Sequence, residues 1–471
     1  MASPLDSINW KTFTAPTNIK VFFGSAGVST TDSDGTFTSD GWDAAETAAA
    51  KAAFQNFADV ANVHFTYVNS ISQADFALLQ SPNQGGAVDN FGYWSVGGGT
   101  LSYGGTDYAL KGWGVFNADD NADGVVGGAG DSWTHANLRV GAYGYITLIH
   151  EIGHGMGLAH PHDDGGGSTV MQGVTPDQQF GDYGDFNLNQ GVFTTMSYND
   201  GWHTAPQVPE RTSDPQNYGF GWQGTLMALD IAVLQQKYGA NMSYHATGDL
   251  YLLPGSNGVG TDYKCIWDGG GRDTVRYIGS APVVINLNAA TLNYSPNGGG
   301  FVSYVKGIFG GITIAHNVTI ERAIGGGGGD SLVGNAANND LLGLGGNDTL
   351  AGRLGNDKMT GGLGNDAFVF NTPLSALTNK DTITDFSNVA GNNDLFKLDN
   401  AVFAKLGAAG AMNPAFFKVA ATALDANDHI VYNHSTGALF YDDNGNVGGG
   451  AIEFAELTNK PTLTAADFIV I

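Results

Sequence analysis

The sequence predicts an α+β fold, a mixed sheet with helices, up to about residue 245, followed by an all-β fold that contains a parallel β-roll. Three observations carry this. Helical periodicity appears three times before residue 245 and almost vanishes after it. Beyond that point glycine runs alternate with short β-like runs. Between residues 325 and 369 an apolar residue returns every nine positions. A chain of 471 residues also exceeds what one hydrophobic core serves, so two or three domains are expected.

In chain order, 19–23 reads as a strand and 43–63 as an Ala-rich helix, with Ala50, Phe54, Phe57 and Val60 at helical spacing. Residues 63–68 and 74–79 read as strands, so strand, helix, strand, strand implies a mixed sheet with a helix on one face. A second helix is predicted over 145–156, with Ile149, Ile152 and Met156 toward the core. A third covers 225–238 and stops at Gly239, a natural C-cap. Later, 283–287 reads as a strand, and 430–432 with 438–441 as a hairpin around His434-Ser435-Thr436-Gly437. The expected division is 1–245, a β-rich connection 246–324, the roll 325–375, and a β-rich end 376–471.

Composition narrows the function. Asp plus Glu number 45 against 19 Lys plus Arg, a net charge of −26. Nucleic acid and anionic membrane are excluded as partners by repulsion. So many carboxylates either form a solvated surface or hold cations, and calcium prefers oxygen ligands. The single cysteine, Cys265, cannot form an internal disulfide and reads as an inert buried residue. The first residues carry no basic region and no apolar run, so no Sec-type leader is expected there. No apolar run nears the roughly 20 residues of a membrane span.

Residues 150–160 read His-Glu-Ile-Gly-His-Gly-Met-Gly-Leu-Ala-His. At about 100° per residue, His150 and His154 share one helix face and can bind one Zn²⁺. Glu151 lies beside them, where a carboxylate takes a proton from water at the metal. Gly157 can adopt positive φ, end the helix and let the chain return His160 to the same ion. Three protein ligands leave a position open, as a catalytic zinc requires. HExxH alone recurs by accident; the added glycine and histidine make coincidence rarer by a factor on the order of hundreds. The remaining histidines, such as His162 and His203, read as rim or surface residues.

The nine-residue repeat carries a second chemistry. Leu332, Leu341, Leu350, Met359 and Phe368 are preceded two positions earlier by Asp330, Asn339, Asp348, Asp357 and Asp366. Glycines precede these: Gly325, Gly326 and Gly328; Gly343 and Gly345; Gly352 and Gly355; Gly361, Gly362 and Gly364. This is the GGxGxDxUx pattern of a calcium-binding roll: glycines make the turn and expose carbonyls, aspartates face calcium between neighbouring turns, and the apolar residue stacks inward. The stretch Gly334-Asn335-Ala336-Ala337-Asn338-Asn339 lacks two glycines and the aspartate, so calcium should be weak or absent there. Asp119, Asn121, Asp123 and Gly124 match the opening of an EF-hand loop, but Gly130 replaces the closing glutamate, and a surface turn is the better reading.

The His-Glu-His-Gly-His set resembles the metzincin metallopeptidases, and with Pro161 and Met196-Ser197-Tyr198 it is similar to the serralysins. The similarity extends to Tyr238-Gly239-Ala240-Asn241. It implies a zincin-like catalytic domain over 1–245 and a Met-turn at Met196 beneath the zinc ligands. It further implies that Tyr198 ligates zinc at rest and swings to the oxyanion during catalysis. By the same resemblance Asp268, Gly270 and Asp273 form a calcium site joining the two parts. The expected protein is a monomeric, secreted, zinc-dependent endopeptidase acting on proteins or peptides. Its expected partners include the type I secretion apparatus, reading the C-terminal signal, and a proteinaceous inhibitor. Asn199 departs from the pattern, which expects an aromatic, and 163–193 looks variable, so substrate preference stays open. The rival expectation is a calcium-dependent surface or adhesion protein with an inactive zinc site.

Overall fold

The computed structural model describes residues 3–32, 35–81, 92–117, 133–206 and 219–471; the EF-hand-like stretch at 119–124 lies outside them. The first part is a mixed sheet with helices. Its strands are β1 (Asn18–Phe23), β2 (Ser29–Asp32), β3 (Gly35–Thr38), β4 (His64–Tyr67), β5 (Phe76–Ser81), β6 (Gly92–Tyr103) and β7 (Thr106–Asn117). They lie in the order β3-β2-β6-β7-β5-β1-β4. β1 runs parallel to β4 and β5, β5 parallel to β7, and β6 antiparallel to β7. The long pair β6 and β7 has no counterpart in the sequence reading, because its runs through Gly97–Gly99 and Gly104–Gly105 interrupt the apolar alternation.

Helix α1 (Ala44–Val60) follows the sheet's first three strands, and its Ala50, Ala53, Phe54 and Phe57 are fully buried, which is the periodicity the sequence displays. Asp43 caps it, accepting from the N–H groups of Ala45 and Glu46. Helix α2 (Tyr143–Gly155) is buried on nearly every side rather than on one face. It packs between α1 and the β6–β7 pair, which buries most of its surface. Helix α3 (Ala228–Tyr238) ends at Gly239 with φ 79°. Among the described residues no helix is long and apolar enough to cross a membrane.

After Tyr238 the described residues hold no α-helix, only strands and short 3-10 turns. The strands build an eleven-stranded and a ten-stranded sheet. Between 322 and 370 successive strands alternate between the two sheets, and each pairs in parallel with the next but one: Ser331–Val333 with Thr349–Ala351, and Asp340–Gly345 with Lys358–Leu363. Leu332 therefore lies beside Leu350, and Leu341 beside Met359, every one fully buried. The hairpin predicted near 434–437 is present as Ile430–Asn433 against Ala438–Asp442. Trp222–Gln223, before residue 245, pairs in parallel with Asp262–Ile266, so the first part of the chain contributes an edge to the eleven-stranded sheet. Cys265 sits buried in that strand.

Candidate functional site

Helix α2 ends where Gly157 takes φ 86°, and the Leu158 N–H closes onto the Gly153 carbonyl at 2.9 Å. The chain returns along the helix end and delivers His160 to the face that carries His150 and His154. Nε2 of His160 lies 2.9 Å from Nε2 of His154 and 3.2 Å from Nε2 of His150. The outer nitrogen of each ring is occupied. His150 Nδ1 meets the Thr195 carbonyl at 2.8 Å, His154 Nδ1 the Leu158 carbonyl at 3.0 Å, and His160 Nδ1 the Asp163 carboxylate at 2.9 Å. Carbonyls and carboxylates only accept, so each Nδ1 carries the proton and donates. The three Nε2 atoms then present bare lone pairs to one another, an arrangement that repels unless a cation sits among them. This donor set fits a zinc ion, and the outer hydrogen bonds are those that orient metal-binding histidines. Burial holds His150 neutral, its pKa pushed down to about 3, and lowers His154 as well.

Glu151 is buried one residue further along α2, and its Oε2 has no hydrogen-bond partner. Burial pushes its pKa up to about 8; a dication beside it favours the charged form again. Tyr198 lies across the cluster, its ring 4.9 Å from that of His160 and 5.5 Å from that of His150. Burial, then the Glu151 charge, raises its hydroxyl pKa. Met196 is fully buried, with Sδ 2.9 Å from where a Cβ on Gly153 would stand, so glycine at 153 is what lets the turn sit against α2. The turn is tied down by Asp230 of α3, which accepts from Thr194 Oγ1 at 2.6 Å and from the Thr195 N–H at 2.7 Å. These contacts fix the carbonyl that orients His150.

His162 corrects one expectation. It is 3% exposed, not a rim residue; its ring stacks on His160 at 4.9 Å and 13°, and touches Tyr198 at 4.9 Å. The sequence reading also passed over Asp163 and Asp230. Asp163, three residues after His160, was open to inference as that ring's orienting carboxylate; Asp230, 35 residues from Thr195, left no signal.

In the repeats, the structure brings Asp330, Asp348, Asp357 and Asp366 into buried ladders. One oxygen of each later aspartate accepts the backbone N–H of the residue 18 positions earlier: Asp348 Oδ1 from Asp330 at 2.8 Å, Asp366 Oδ1 from Asp348 at 2.9 Å, Asp357 Oδ1 from Asn339 at 2.7 Å. The second oxygen, Oδ2 of Asp348, Asp357 and Asp366, is buried without a partner. It faces a glycine in each case: a Cβ on Gly343, Gly352 or Gly361 would stand 2.1, 2.2 and 2.2 Å from it. Orphaned carboxylate oxygens in a glycine cradle fit calcium. Asn339 is the contrast. Its Oδ1 accepts the Asn335 N–H at 2.8 Å and its Nδ2 donates to the Ile320 carbonyl at 3.3 Å, so its amide satisfies itself against the backbone. Asp381, Asp385 and Asp394 extend the ladders: Asp381 Oδ1 accepts from Asp357 N, and Asp394 Oδ1 from Asp366 N. They escaped the reading because longer turns break the nine-residue period, with spacings of 24 and 28.

Of the other predicted set, Asp268 uses both oxygens internally, accepting from Tyr251 OH at 2.5 Å and from the Gly270 N–H at 2.8 Å. Asp273 keeps a buried Oδ2 without a partner, as does Asp249, which the reading missed and whose N–H donates to Asp273 Oδ1. Gly270 has φ 129°.

Residues 261–430 match the family described as Peptidase M10 serralysin C terminal. Serralysin C of Dickeya chrysanthemi is 33% identical over 350 residues, 70% of this chain and 62% of that protein. Metallopeptidase AprA of Pseudomonas marginalis is 32% identical over 334 residues, 67% of this chain and 59% of its own length. The chain thus spans about three fifths of the length of these curated relatives. Among solved structures, the AlgE6R3 subunit of the Azotobacter vinelandii mannuronan C5-epimerase is 26% identical over 31% of this chain and 71% of that one, with a TM-score of 0.18, which carries no argument about the fold.

Proposed function

The chain is related to the serralysin-type metallopeptidases, and from that premise we propose that it is a secreted zinc-dependent endopeptidase whose C-terminal part is a calcium-stabilised parallel β-roll. The observation that supports this best is the convergence of three imidazole Nε2 atoms beside a buried, unpartnered carboxylate. His150, His154 and His160 would hold zinc, with Tyr198 as a resting ligand. Zinc bound there supplies Lewis acidity, polarising a peptide carbonyl and bringing the pKa of water toward about 7. Glu151 accepts the proton of the attacking water and returns it to the leaving amine. The Tyr198 hydroxyl, kept protonated by burial, donates to the oxyanion of the tetrahedral intermediate. Met196 and Asp230 hold the turn that positions Tyr198 and the Thr195 carbonyl.

Asp330, Asp348, Asp357 and Asp366, with carbonyls of the glycine turns, would hold calcium ions that neutralise the stacked carboxylates. The proposed organisation is a zincin-like catalytic domain over 1–245, a connection over 246–324, the roll over 325–375 and a terminal region carrying a type I export signal. The test is metal content measured together with the cleavage profile on a peptide library. One zinc per chain with hydrolysis abolished by 1,10-phenanthroline supports the reading; a zinc-loaded chain that cleaves no peptide overturns it.

A further inference from the structure

Beside Glu151 a pocket opens whose wall includes Tyr143, Ile146, Thr147, Phe180, Tyr198 and Asp200. Phe180 is unusual in it. The residue is 61% exposed, yet its ring lies 5.7 Å from that of Tyr198 at 34°. One face is packed and the rest is left to solvent at the lip of the site. Phe180 belongs to the segment 163–193, which two side chains of the Tyr198 turn hold: Ser197, whose Oγ donates to Asn189 Oδ1 at 2.7 Å, and Asn199. The Asn199 side chain is 3% exposed and fully used: Oδ1 accepts the Gly181 N–H at 2.7 Å, while Nδ2 donates to the carbonyls of Asn189 at 3.0 Å and Asp182 at 3.1 Å. Oδ1 therefore grips the residue immediately after Phe180. Asp182 adds to the clamp by accepting the N–H groups of Thr175 and Gly184.

We propose that Asn199 and Phe180 form the specificity device of this pocket: Asn199 is a positioning residue that pins the Phe180 segment to the Tyr198 turn, and the exposed Phe180 ring covers a bulky apolar side chain of the substrate. The inference rests on the peptidase reading and adds the residues that would set preference beside the scissile bond. A side chain without an amide at position 199 could not both accept from Gly181 and donate to Asp182, so the placement of Phe180 depends on Asn199. Ile146 and the rings of Tyr143 and Phe180 offer an apolar side chain the contact surface it seeks.

The test uses the full-length, zinc-loaded chain and a peptide series in which one residue flanking the scissile bond is Phe, Leu, Ala, Gly or Lys. Phe180→Ala is expected to lower kcat/KM for the Phe and Leu peptides about tenfold or more relative to the Gly peptide, chiefly through KM. Phe180→Leu should restore part of the loss. Asn199→Asp keeps the acceptor for Gly181 but removes both donated hydrogen bonds; it should produce the same selective loss, and adding it to Phe180→Ala should cost little more. Should Asn199→Asp fail to fold, the exposed Phe180 variants decide alone. Unchanged preference in Phe180→Ala, or a wild-type preference for Lys read by Asp200, overturns the inference while leaving the peptidase reading intact. Absence of cleavage of every peptide by the wild type overturns the peptidase reading itself.

Discussion

The histidine cluster on α2 and the aspartate ladders between 330 and 394 both gather donor atoms around points where a cation fits, yet they are built on opposite electrostatics. The cluster uses neutral rings. Each is locked by a hydrogen bond to Thr195, Leu158 or Asp163, inside a hydrophobic core that runs through α1, α2 and α3. Removing a cation leaves lone-pair repulsion, which is small beside that core. The ladders stack anionic groups, and the Oδ2 atoms of Asp348, Asp357 and Asp366 are buried and unpaired. Removing a cation there leaves charge with nothing to compensate it, which is far more costly. Preorganisation without metal is affordable for imidazoles and not for carboxylates.

The sharpest way to break this comparison is to withdraw calcium. At pH 8 the strands beyond about residue 325 should unfold while helix α2 persists, seen as a loss of β signal in far-UV circular dichroism under EGTA; an unchanged spectrum would remove the contrast. Next in size, Glu151→Gln should retain zinc by elemental analysis but lose about 10²–10⁴-fold in casein hydrolysis, because the buried carboxylate is the proposed proton acceptor; turnover within tenfold of wild type contradicts it. Tyr198→Phe should cost less, about a hundredfold in kcat with KM nearly unchanged, since the ring packing survives while the hydroxyl proposed to ligate zinc at rest and to donate to the oxyanion goes.

Acidity sharpens the ladder side. Burial pushes Asp348 up to about 7, Asp357 to about 6 and Asp381 to about 8 in the calcium-free chain. Unfolded carboxyls titrate near 3.9. Folded values above unfolded ones mean stability that is full below pH ~4 and lost as pH rises through about 6–8. Calcium-free protein should therefore have a higher Tm at pH 5 than at pH 8, and calcium-loaded protein the reverse, because protons compete with the ion. The smallest effect should come from Asn339→Asp. It exchanges a self-satisfied amide for another uncompensated carboxylate, costing about 1–3 kcal/mol by thermal unfolding at low calcium, where the strands are still folded, and this loss should shrink as calcium is raised.

Much of this was legible before any coordinates. The period of four between His150 and His154, and the nine-residue return of Leu332 through Phe368, are one-dimensional signals that a helix and a wound strand convert directly into shared faces. The hairpin at 434–437 was legible for the same reason. What stayed hidden depends on chain segments far apart in sequence. The β6–β7 pair is interrupted by glycines and shows no clean alternation. His162 reads as a polar residue in a loop, but its ring is buried because Tyr198 arrives on it from 36 residues away. Asp381 and Asp394 continue the ladders after inserted turns that erase the period.

The sequence by itself determined which residue types could meet a metal and the local geometry that makes them meet, because a helix turn and a repeat length are set by backbone periodicity alone. Only the tertiary structure decided which nitrogen of each ring carries the proton, which aspartate oxygen is left without a partner, and which loop Asn199 holds over the site. Those outcomes depend on hydrogen bonds between segments brought together by burial of a common core, and no local pattern encodes the partner at the other end of such a bond.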